Sequence, residues 1–164
     1  MILDNITTII NFILAIFSFF GAFKARKYYK KCQIVKSYSD VRLSLDEIEK
    51  MIGILPKILS VTRNAKSNTR GVNFQKELSD IGSELNACLN KIQTLCPVEY
   101  SEELVLIING NNSRLRDYIN SLISGDIDFT TLNNADYTIF QDKLASVQDF
   151  IKQSYEKLND KINL

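Results

Sequence analysis

Apolar residues along this chain fall into one uninterrupted block and four periodic runs. The block is the stretch Asn5 to Phe23, NITTIINFILAIFSFFGAF, which carries no charged residue. As a helix it would rise about 28 Å, close to the ~30 Å hydrocarbon core of a bilayer. Its apolar side chains, Ile6, Ile9, Ile10, Phe12, Ile13, Leu14, Ile16, Phe17, Phe19, Phe20 and Phe23, are therefore expected to enter lipid. Thr7, Asn11 and Ser18 fall on one helical stripe, where polar side chains would bond across to partner helices. Three placements follow for this segment. It is a permanent single-pass anchor, a helix that inserts on a trigger or by oligomerising, or a buried core helix of a bundle.

Behind the block the periodicity changes to alternating steps of three and four, the mark of amphipathic helices. Val35, Tyr38, Val41, Leu45, Ile48, Ile52, Leu55 and Leu59 predict that the first helix continues to about Arg63, with Asp46, Glu47, Glu49 and Lys50 mostly on the other face. Pro56 lies inside this run and is expected to kink the helix or to start a new one near Leu55. The polar stretch Asn64 to Asn73 predicts a loop. Phe74, Leu78, Ile81, Leu85, Cys88, Ile92 and Leu95 then form a heptad seam over three repeats, and Pro97 ends that helix.

Ser101, followed by Glu102 and Glu103, predicts an N-cap. Leu104, Ile107 and Ile108 continue that helix to the Asn109-Gly110 turn signal, where the helix either breaks or passes through. Leu115, Tyr118, Ile119 and Leu122 resume the pattern, and Gly125 is expected to close it. A last helix runs from about Asn134 almost to the C-terminus, with Tyr137, Phe140, Leu144, Val147, Ile151, Leu158 and Ile162 facing the core. No stretch sustains period-two alternation. The expectation is an all-α protein: an N-terminal transmembrane or membrane-inserting helix over residues 1–31, then an antiparallel bundle of about four helices over 32–164.

Charge sharpens this picture. Residues 1–36 hold Lys24, Arg26, Lys27, Lys30, Lys31 and Lys36 against Asp4 alone, a local +5, while the rest carries 14 basic and 18 acidic residues, a local −4. Lys24, Arg26, Lys27, Lys30 and Lys31 sit directly behind the apolar block with Tyr28 and Tyr29. That is where cations meet anionic lipid headgroups and aromatic rings sit at the interface. The positive-inside rule then places the body in the cytoplasm and the protein in the cell membrane. A cleaved signal peptide fits poorly, because its positive charge precedes the apolar run. The same basic cluster could engage nucleic acid, but its place beside an apolar 19-mer assigns it to the membrane boundary.

Chemistry narrows the function by elimination. The chain has no histidine and three cysteines, Cys32, Cys88 and Cys96, at irregular spacing. That removes the commonest general base and metal ligand and gives no disulfide framework. No phosphate-binding loop, dinucleotide fingerprint, zinc motif or nucleophile elbow occurs, so no catalytic residue, metal or cofactor is expected. Cys88 lies on the heptad seam and reads as a buried thiol.

The layout resembles the HeLo and HeLo-like domains of fungal cell-death proteins and the four-helix executioner domain of necroptosis. The resemblance rests on the apolar first helix, the stretch KARKYYKKC from Lys24 to Cys32, and the leucine-patterned runs Leu45 to Leu59 and Phe74 to Leu95. It implies a membrane-perturbing effector that self-associates in an immune or cell-death setting, with lipid and a second copy as partners. The first helix here is more apolar than those of the family, which favours a permanent anchor. A passive membrane-anchored scaffold, docking a cytoplasmic protein through an exposed Phe74 to Leu95 seam, is the other expectation.

Overall fold

In the computed structural model, which describes residues 2–66, 73–110, 115–124 and 134–163, the chain forms five helices and no strand among the described residues. They are α1 (Ile2–Lys66), α2 (Phe74–Leu95), α3 (Val98–Asn109), α4 (Leu115–Ser124) and α5 (Asn134–Asn163). The Gly125 turn and most of the Asn64 to Asn73 loop lie outside the described residues.

Helix α1 contains 65 residues and would measure about 97 Å at 1.5 Å per residue. Of the two outcomes expected at Pro56, no new helix starts there: α1 runs through Pro56 to Lys66. Proline removes one backbone donor, but Leu55 and Ile58 on either side are buried, and their packing holds the helix together. The core seam of α1 also differs from the expected one. It runs through Val41, Ser44, Ile48, Met51, Leu55, Ile58 and Thr62, whereas Val35 and Ile52 are exposed and Leu45 and Leu59 are half-buried. Two polar members hide this seam in the sequence. They are tolerated because Ser44 Oγ donates to the Asp40 carbonyl and Thr62 Oγ1 to the Ile58 carbonyl, so neither hydroxyl is buried unpaired.

The seam of α2 is buried at Leu78, Ile81, Leu85, Cys88 and Ile92. It cannot be the exposed docking face of a scaffold, because it already packs inside the bundle. Asn73 caps α2, its Oδ1 accepting the Lys76 N–H at 3.0 Å. At the other end Cys96 is extended, as a residue before proline prefers, and Pro97 opens α3. Ser101 is therefore not the N-cap that the sequence predicts. It lies one turn inside the helix, where its Oγ donates to the Val98 carbonyl. Proline's fixed φ starts the helix four residues earlier than a capping Ser101 would. Helix α3 ends at Asn109, so the chain breaks at the Asn-Gly signal.

Side-chain pairs fix the topology. Glu47 meets Lys91, Ser79 meets Ile123, Gln93 meets Arg116, Tyr38 meets Tyr155, Glu99 meets Lys161 and Tyr118 meets Phe140. With α3 and α4 taken as one rod, these pairs set each helix of the bundle against neighbours that run the opposite way. The result is an antiparallel four-cornered bundle whose corners are α1, α2, the broken α3–α4 rod and α5. Helices α2 and α4 come closest at Gly82, where a Cβ would stand 2.9 Å from Leu122 Cβ and Ile123 Cγ1. The first part of α1 packs against none of the others and projects from the end where α3 begins and α5 ends.

Candidate functional site

From Ile10 to Gln33 every residue of α1 is exposed. This stalk has no helix beside it. Nine of its large apolar side chains, Ile10, Phe12, Ile13, Leu14, Ile16, Phe17, Phe19, Phe20 and Phe23, are 41–71% exposed. They surround the helix on most sides, so no single bundle face could have buried them. At about 1.5–3 kcal/mol for complete burial of each, leaving them half to two-thirds bare in water costs on the order of 10 kcal/mol. That equals the whole stability of an ordinary domain.

Among the described residues no helix is long and apolar enough to cross a membrane. This differs from the expected span. The described apolar stretch runs from Ile10 to Phe23, and its 14 residues rise about 21 Å, short of the ~30 Å core. Side chains before Ile10, including those of Ile6, Thr7 and Ile9, lie outside the described residues, although the backbone there is helical.

Asn11 and Ser18 share one side of the stalk, seven residues apart and both exposed. Ala15 and Ala22 complete a four-three-four spacing on that same side, which gives the stalk one narrow small-residue edge opposite its phenylalanines. The sequence reading missed the two alanines because it sought polar atoms rather than small volume.

Below the apolar tip, Lys24, Lys27, Tyr28 and Lys31 line one shallow concavity of the helix surface. Arg26 and Lys30, four apart, occupy the adjoining flank. No carboxylate occurs anywhere between Asp4 and Asp40, so no acid on this helix neutralises the collar. Its five cations form one positive sleeve about 10 Å long.

The collar meets the bundle at a notch formed by Lys31, Ile34 and Val35 of α1 with Lys161 and Ile162 of α5. Ile162, expected in the core, is instead 37% exposed at this rim. Tyr38 stacks on Tyr155 with ring centroids 4.5 Å apart, and their hydroxyls are hydrogen-bonded. That hydrogen bond raises the Tyr38 pKa, with desolvation adding to it. Lys161 donates to Glu99 at 3.2 Å, which ties the last turns of α5 to the first turn of α3. That bond raises the Lys161 pKa.

Among the described residues, one charged side chain lies inside the bundle. Glu47 is 5% exposed, and its Oε1 accepts from Lys50 at 2.8 Å and from Lys91 at 2.5 Å. These two bonds outweigh desolvation and hold its pKa down to about 2. The sequence reading placed Glu47 mostly on the outer face. Cys88 is buried, as its place on the seam predicted, and burial first, then hydrogen bonding to Glu47, raises its pKa. Cys32 is exposed on the stalk, and half-buried Cys96 has its pKa pushed up to about 11 by desolvation.

The arrangement can bind an apolar phase at one end and anions just beneath it. Neither a family model nor a curated protein nor a solved structure matches this chain.

Proposed function

We propose that this chain is a non-catalytic membrane effector. Its stalk inserts into the cell membrane, the collar cations next to the tip, Lys24, Arg26 and Lys27, hold anionic headgroups, and self-association of the inserted helices perturbs the bilayer. The carrying observation is the bare stalk, nine large apolar side chains on a stretch of α1 that is exposed at every residue from Ile10 to Gln33. A helix is the form in which a chain can enter lipid without unpaired backbone groups. In water, by contrast, an unpacked helix of this kind is marginal.

The axial order fits a boundary. Phe23 ends the apolar tip, and Lys24 to Lys27 follow over about 5 Å, the depth of a headgroup layer. Cations at that depth contribute about 1 kcal/mol each on an anionic surface. With the cations on the cytoplasmic side, the bundle faces the cytoplasm. A stalk shorter than the hydrocarbon core is accommodated by thinning the bilayer or by oligomerising, and Asn11 and Ser18 supply polar atoms for neighbouring helices to satisfy.

The test is dye release from vesicles of neutral and of anionic lipid, with flotation of the same samples. Binding and leakage are expected on anionic vesicles, and Asn11→Leu is expected to keep binding but cut leakage severalfold, since it removes the inter-helix bond. Leakage unchanged by Asn11→Leu would remove the role of helix association.

A second reading is a passive anchored scaffold, favoured by the outer face of α3, where Val98 and Leu106 are 90% and 69% exposed. Replacing residues 6–23 with a neutral transmembrane helix separates the two. The scaffold keeps its activity and the effector loses it.

A further inference from the structure

Two exposed surfaces are left over once the stalk tip is assigned to lipid. The first is the stalk base. Lys24, Tyr28, Lys31 and Val35, spaced four-three-four, make one stripe in which cations alternate with apolar groups, and Tyr28 and Val35 are 68% and 54% exposed. The second is the outer face of α3. Val98, Glu102 and Val105 are spaced four-three, with Leu106 and Glu103 flanking them, and all five are exposed. One stripe alternates positive with apolar, the other negative with apolar. The opposed local charges of the two parts, +5 and −4, reinforce the match.

The two surfaces cannot meet within one molecule. The stalk is a rigid extension of α1 and points away from the bundle, whereas α3 runs back along it. Yet the first turn of α3 lies level with Lys31 and Val35. Lys161 bonds to Glu99 in the first turn of α3 and shares the notch with Lys31, Ile34 and Val35. A neighbour standing beside the stalk in the same orientation would bring its α3 to the stalk base. Lys31 also lies about 12 Å beyond Phe23, below the headgroup layer, so lipid leaves it free for protein.

We propose that the stalk base of one copy docks on the outer face of α3 of a second copy, in a head-to-tail contact that repeats around a ring. Lys31 faces the acidic groups of the neighbour's α3, and Tyr28 and Val35 cover its valines. Because the two surfaces differ, the interface is heterologous, and it closes or propagates according to the angle between neighbours. This deepens the self-association named above but does not depend on leakage. Complementary charge sets the pairing and its salt dependence.

The experiment is sedimentation velocity of the full chain in nonionic detergent micelles at low and at high salt, for the wild type, Lys31→Glu, Glu102→Lys, Val98→Asp and the Lys31→Glu/Glu102→Lys combination. Circular dichroism melts of each confirm that the bundle is folded. The expected result is an oligomer at low salt that weakens at high salt. Either charge reversal lowers the association constant about tenfold or more, Val98→Asp does the same, and the combined reversal restores most of it. A wild type that is monomeric in micelles overturns the proposal. So does an oligomer indifferent to Glu102→Lys and Val98→Asp, or a combined variant that regains nothing. Flotation on anionic vesicles keeps the membrane reading separate, since Glu102→Lys is expected to float like the wild type.

Discussion

Helix α1 has two halves with inverted environments. Between Val41 and Thr62 the buried positions include Ser44, Glu47 and Thr62, all polar. Between Ile10 and Phe23 the exposed positions include five phenylalanines, all apolar. In the bundle half each polar group is accepted because a bond satisfies it: Ser44 and Thr62 to their own helix, Glu47 to two lysines. In the stalk no helix stands alongside, so even phenylalanine stays bare. Along one helix, burial follows from neighbours, and hydrophobicity decides only which neighbours a segment needs. The bundle half needs helices on one side; the stalk needs an apolar surrounding on nearly all sides.

The widest gap between the halves should come from placing the same charge in each. Ile48→Asp puts a carboxylate at a fully buried position, and a loss beyond about 4 kcal/mol is expected, enough to unfold the bundle. Phe17→Asp, at a 70% exposed position, should leave the bundle's thermal midpoint unchanged in detergent-free buffer while lowering vesicle binding about a hundredfold. Thermal melts and flotation of the two variants check this. Equal losses of stability would mean that the stalk packs on the bundle in solution.

Glu47 gives the next effect. Removing it strands Lys50 and Lys91 and is expected to cost about 1.5–3 kcal/mol, the range for hydrogen bonds to a charged group. Its pKa falls from 4.5 in an unfolded chain to about 2 in the fold, so the folded state binds the proton less well. The stabilisation is present above pH 4.5 and is lost as pH falls from there through 2. Stability measured by urea titration between these values should therefore fall more steeply for the wild type than for Glu47→Gln. Parallel curves would show that the carboxylate is not held ionised.

Much of the fold is legible in the sequence because it rests on periodicity. The α2 seam and the start of α5 near Asn134 are where spacing and turn chemistry place them, and of the two outcomes open at Asn109-Gly110 the helix takes the break. What was illegible has local causes. The α1 seam passes through Ser44 and Thr62, and a search for apolar spacing skips to Leu45 and Leu59. The start of α3 belongs to Pro97, whose fixed φ leaves no capping side chain to recognise. Of the candidate site, the collar and the apolar tip were legible as blocks of like residues. The outer face of α3 was not: the spacing of Leu104, Ile107 and Ile108 marks the inner face, and nothing in it marks Val98, Val105 and Leu106 as a surface.

The smallest expected effects come from glycine, and they test how local the two environments are. Alanine in a helix interior is about 1 kcal/mol better than glycine when nothing opposes it. At Gly53, on the outer face of α1, an added Cβ meets nothing within 4 Å, so Gly53→Ala should stabilise the bundle by about 0.5–1 kcal/mol. At Gly21 in the stalk the space is equally open, but a gain there should leave the bundle's midpoint unmoved, because no contact transmits it. At Gly82 the new Cβ would press on Leu122 Cβ, Ile123 Cγ1 and the Ile123 backbone nitrogen, the last at 3.1 Å. None of these is the free end of a flexible chain, so α2 and α4 must separate. Overpacking costs about 1–3 kcal/mol and exceeds the propensity gain, which makes Gly82→Ala a net loss of about 1 kcal/mol. Three identical substitutions should thus give a gain, no change and a loss in thermal unfolding. A midpoint that moves with Gly21→Ala would show that stalk and bundle unfold as one unit, and the division of α1 into two independent environments would have to be abandoned.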